Sequence, residues 1–162
     1  MKWQRASRLL SRVQLRLIGA VIATLILASS CAVREPKQVE GTWVITDAVA
    51  PGISAMSKEQ AKQWLGQSYH YGADQLLLGQ IQCEGPVYQE QKLNDSQFTQ
   101  TYHVPLSMLG AGLTKVQAFT VACDSGESMP GQTVFLTGHQ EAFMLWDGVF
   151  FKMEKTVQLS HS

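Results

Sequence analysis

From residue 41 to residue 157 the apolar positions recur mainly at every second residue, the spacing of a strand that buries one face. Residues 115–123 (Lys-Val-Gln-Ala-Phe-Thr-Val-Ala-Cys) contain no breaker and favour β structure. Residues 132–137 and 141–146 read the same way, and Asp147-Gly148 separates the second of these from residues 149–154. An Asp-Gly pair between two apolar runs is the strongest short-range signal for a hairpin. Earlier strand candidates are residues 42–46, 67–71, 75–83, 86–93 and 96–104.

One segment changes period. Ser57-Lys58-Glu59-Gln60 is a capping box, in which the Ser57 side chain caps the Gln60 amide and Gln60 reaches back. Ala61, Trp64 and Leu65 then fall on one helical face, and Gly66 supplies the end. Residues 105–109, before Gly110-Ala111-Gly112, form a candidate for a further short helical turn. The pattern predicts a mainly β domain: a small antiparallel barrel or sandwich of about eight strands, with one short helix near 58–65.

The chain before this domain has a different composition. Lys2, Arg5, Arg8, Arg12 and Arg16 precede an uncharged apolar run at 17–28, which is followed by Ser29-Ser30-Cys31. That run is shorter than the roughly 20 residues needed to cross a bilayer, and it fits the apolar region of a secretory signal. Leu27-Ala28-Ser29-Ser30-Cys31 resembles the lipobox of bacterial lipoproteins, with Ala28 where Leu is commonest. The resemblance implies a signal peptide at 1–30, acylation of Cys31 (palmitate among the acyl chains) and a lipidated tether at 31–40. It also implies a membrane contact through the anchor. Ala32, rather than Asp, after the cysteine implies the periplasmic face of the outer membrane. Residues 158–162 read as a tail.

Charge follows the same division. The whole chain balances 13 basic against 13 acidic residues. From Cys31 onward there are 8 basic and 13 acidic residues, a net of −5. A mildly acidic body with scattered lysines argues against nucleic acid as a partner. With Cys31 acylated, Cys83 and Cys123 remain as an even pair in an oxidising compartment, which predicts a disulfide. Two buried thiols or two metal ligands are the alternatives. Neither cysteine has a second Cys or His at ligand spacing, so no metal or other cofactor is expected.

Chemistry is sparse along the rest of the chain. No metalloprotease, nucleophile-elbow or phosphate-loop motif occurs, and His70, His103, His139 and His161 are scattered. A non-enzymatic protein is therefore expected. Asp124 and Glu127 lie in a polar loop that reads as a solvated turn or a weak interaction surface. In the last hairpin Val149, Phe151 and Met153 share one face, while Phe150 shares the other with Lys152 and Glu154. Phe150 is accordingly a candidate for an exposed interaction residue, with cover by a loop or the helix as the alternative.

Gly41-Thr42-Trp43 resembles the Gly-x-Trp signature of lipocalins, in which the tryptophan packs under the barrel floor. A chain ending soon after the last strand and a helix between the first two strands depart from that family. The basic residues nearest the last strand's end are Lys152 and Lys155. Three readings follow. The first is an envelope lipoprotein whose domain binds another protein or a cell-wall component. A membrane-bound inhibitor of a basic cell-wall hydrolase is one form of it, favoured by the acidic charge. The second is a lipocalin-like carrier of a small apolar ligand, with Trp43, Phe119, Phe135 and Phe151 either lining a cavity or filling it. The third, a hydrolase, has no motif behind it.

Overall fold

The structure is a computed structural model that describes residues 37–123 and 128–156. Cys31, Asp124, Glu127, the predicted signal segment and the predicted tail lie outside the described residues. Nine strands occur in chain order: β1 (Gly41–Val49), β2 (Ser68–Tyr71), β3 (Gln75–Leu78), β4 (Ile81–Glu84), β5 (Val87–Asn94), β6 (Lys115–Ala122), β7 (Thr133–Leu136), β8 (Glu141–Trp146) and β9 (Val149–Lys155). Helix α1 (Lys58–Lys62) lies between β1 and β2, and α2 (Asp95–Tyr102) between β5 and β6. A 3-10 turn at Leu106–Met108 follows α2.

All nine strands form one antiparallel sheet in the order β4-β3-β2-β1-β9-β8-β7-β6-β5. The sheet curls into a half-barrel, as the alternating pattern predicts. Its edge strands, β4 and β5, are consecutive in the chain and are joined through Gly85-Pro86. The Cys83–Cys123 disulfide ties β4 to the residue just after β6, its Cα atoms 5.9 Å apart. Tyr71 Oη donates to Gly131 O at 2.8 Å and Tyr88 Oη to Gly72 O at 2.7 Å, so the curl is held by side chains where no strands pair.

Local chemistry explains several elements. The Asp147-Gly148 turn has φ of 50° and 79°, the left-handed pair that a two-residue hairpin needs. Strand β1 runs past residue 46 because a bulge between Ile45 and Asp47 shifts its register on β9. Ile45 and Ala48 both face inward as a result, a spacing that simple alternation cannot produce. The expected strand at 75–83 is a hairpin, with β3 and β4 joined through Gly79-Gln80. Residues 37–40, expected in the tether, pack on the domain: Val39 is buried and accepts a hydrogen bond from Trp43 Nε1 at 2.8 Å.

The strand expected at 96–104 is helix α2. Asn94 accepts from the Gln97 amide while the Gln97 side chain accepts from the Asn94 amide, the same box that starts α1 at Ser57. Phe98 and Tyr102, one turn apart, turn inward with ring centroids 4.9 Å apart. His103 ends the helix in the left-handed region at φ 59°.

The sheet is therefore covered on both faces. Trp43, Phe119, Phe151, Tyr69 and Tyr71 belong to the inner core. Phe135 and Phe150 belong to a second core on the outer face, under α2 and the 3-10 turn, with Phe98, Leu106 and Leu109. Phe98 and Phe135 meet edge to face at 5.3 Å. This corrects two expectations. Phe150 is 3% exposed rather than a surface aromatic, because α2 covers the face assigned to solvent. Phe135 lines that outer core, not the barrel interior.

Candidate functional site

The sheet's two ends differ in character. At the end where β1 begins, Trp43 is fully buried and Lys155 Nζ lies 5.1 Å from its ring centroid. Lys155 also donates to Gln38 O at 3.0 Å. A Cβ at residue 41 would sit 2.5 Å from Lys155 Cε, so only glycine lets the lysine lie over the indole. Burial pulls the Lys155 ammonium below its usual range, with the Glu40 charge opposing. On the outer face of the same end, Thr42 Oγ1 and His70 Nδ1 are 3.0 Å apart. Beside Lys155 and Gln38 this end also carries two recesses, of about 280 and 210 Å³, around the turn at Gly138.

The other end carries the loop between β1 and α1. After β1 the chain passes through Pro51-Gly52-Ile53 before α1. Ala55 N donates to Asp147 O at 3.0 Å and Ser54 Oγ to Met56 O at 2.6 Å, which pins the loop against the last hairpin. Ile53 projects from it, wholly exposed. Helix α1 buries Ala61, and Trp64 beyond it stacks on Phe151 at 5.2 Å. Its exit is stitched to β1 by Gly66 N to Ile45 O at 2.8 Å and Ile45 N to Gln67 O at 3.0 Å.

Two recesses flank the loop. One, of about 430 Å³, has Ile53 on its rim and Tyr102, Val104, Leu145 and Phe150 among its walls. The other, of about 250 Å³, lies between α1 and the start of β9. Its apolar lining includes Ala48, Met56, Ala61 and Val149, and Lys58 and Lys62 also border it.

Compared with protein-family models, curated proteins and solved structures, the chain matches none. The site therefore stands on its own geometry.

Of the residues singled out in the sequence, Trp43, Phe119 and Phe151 come together in the inner core, each at most 1% exposed. Phe135 and Phe150 meet on the opposite face at 6.0 Å. Cys83 and Cys123 are bonded. Glu141, the cross-strand partner of Glu154, is instead paired with Lys152 at 2.8 Å and accepts from Thr137 Oγ1 at 2.9 Å. These contacts hold its carboxyl below the usual range, the Lys152 hydrogen bond most of all. Ile53, Met56, Lys58 and Lys62 were not among the expected site residues. Their available signal is an isolated large apolar residue directly after Pro-Gly, where a turn has no core to fill.

Proposed function

We propose that this chain is an envelope lipoprotein, anchored through Cys31, whose β domain is a non-enzymatic binding module that engages a periplasmic partner protein at its α1 end. The observation that carries this reading is the wholly exposed Ile53 on a pinned loop, which does not stand singly but adjoins a recess walled by Tyr102, Val104, Leu145 and Phe150, so that together they make a contiguous apolar patch.

The tether supports the same direction. From Cys31 to Lys37 the chain spans at most about 20 Å. Strand β1, of 9 residues, separates the tethered end from the Ile53 end by about 27 Å. Ile53 thus lies at the end of β1 opposite the one that Lys37 leads into. The packed inner core favours this reading over a carrier with its ligand inside the barrel. The net charge of −5 from Cys31 onward favours a basic partner, which keeps a hydrolase inhibitor within the same class.

Two experiments test it. A Cys31→Ala chain should leave the membrane fraction, and its retention there would remove the anchor. Ile53→Asp should keep the thermal midpoint while abolishing co-purification of the partner. Undiminished co-purification would place the contact elsewhere.

A further inference from the structure

We propose that the recess under α1 binds a single-chain anionic amphiphile, its head group held by Lys58 and Lys62 and its chain laid on Ala48, Met56, Ala61 and Val149. This goes beyond the partner-binding role and depends on neither the anchor nor the partner. Lys58 and Lys62 stand four residues apart on one helix, the spacing that brings two side chains to one face. Among the described residues neither has an ion pair. Asp47 is the carboxylate in the lining, and one of its oxygens already accepts from Ala48 N at 2.8 Å. The rim is therefore net positive above an apolar floor, although the chain from Cys31 onward is acidic overall.

Size restricts the occupant further. A recess of about 250 Å³ falls below the roughly 300–1,000 Å³ of pockets for drug-sized ligands. It accepts one short alkyl chain and not a two-chained lipid. The inner core beside it is packed, with Trp64 stacked on Phe151 at 5.2 Å, so the chain lies in the recess and not inside the barrel.

The test uses the full exported chain carrying Cys31→Ala, so that no acyl group competes. Decanoate, decanol and decyltrimethylammonium are titrated separately by calorimetry, with amide shifts mapped by NMR. Decanoate should bind at least tenfold more tightly than either of the others, with shifts centred on residues 47–50, 56–65 and 149. Lys58→Gln with Lys62→Gln should remove that preference while leaving the thermal midpoint unchanged, since both side chains are exposed. Equal binding of decanol and decanoate, shifts centred on the Phe150 recess, or no binding would each overturn the proposal. The Ile53→Asp result is independent of all three.

Discussion

Removing the Cys83–Cys123 bond should cost this domain a large share of its stability. In sheet order β4 is one edge and β6 lies next to the other, so the bond joins the two ends of the curl. It closes a chain segment 40 residues long. In the chain-entropy account such a loop stabilises the fold by about 4 kcal/mol, by restricting the unfolded chain. The Tyr71–Gly131 and Tyr88–Gly72 hydrogen bonds span the same seam, and each contributes about 1 kcal/mol net. Domains of this size have roughly 5–15 kcal/mol in total. We therefore expect Cys83→Ala with Cys123→Ala to lower the urea-unfolding free energy by about 3–4 kcal/mol. The denaturant slope should steepen, because the freed unfolded chain exposes more surface. Tryptophan fluorescence against urea measures both quantities. A loss under about 1 kcal/mol with an unchanged slope would mean that packing alone holds the curl and would refute the reasoning.

Three further outcomes follow from particular contacts. Phe98→Ala empties the centre of the outer core and should cost about 3–5 kcal/mol; a thermal midpoint within a degree or two of the parent would contradict the covered outer face. Asn94→Ala removes the α2 cap and should cost about 1 kcal/mol, whereas Asn94→Asp should cost much less, both read by urea unfolding. Burial pushes Tyr69 up to about 12, and it raises Tyr71 well above its usual value, with Tyr69 and Tyr88 adding to the rise. Both hold their protons more tightly folded than unfolded, so their contribution is whole below pH 10 and is lost as pH climbs from about 10 towards 12. The urea midpoint should fall across that window, and Tyr71→Phe should flatten the fall; a level midpoint up to pH 12 would contradict it.

What the sequence disclosed depended on how local its cause was. The Asp147-Gly148 hairpin and the Ser57 capping box depend on neighbouring residues and were legible from them. Helix α2 had an equally local signal in Asn94 and Gln97. It was obscured by Thr99, Thr101, Tyr102 and Val104, whose β preference outweighs a cap in a propensity reading. Phe135 and Phe150 were misplaced for a different reason. Alternation separates two faces but does not tell which is covered, and α2 comes from a distant part of the chain to cover the outer one. The edge strands were not legible because pairing between β1 and β9 joins residues more than a hundred positions apart. The recesses beside Ile53 and α1 depend on that same long-range closure. Nothing local marks Lys58 and Lys62, because the recess they border exists only once Val149 of β9 is placed beside α1.

On the proposed function the Ile53 end meets a partner protein while the rest of the half-barrel does not. The most direct measurement places a photo-crosslinking residue at position 53, and in separate chains at position 89 on the exposed strand β5, each expressed in the native envelope and irradiated. One discrete protein adduct is expected at position 53, suppressed by excess unlabelled chain and insensitive to excess Ile53→Asp chain, with none at position 89. No adduct at position 53, or the same adduct at both positions, would contradict it.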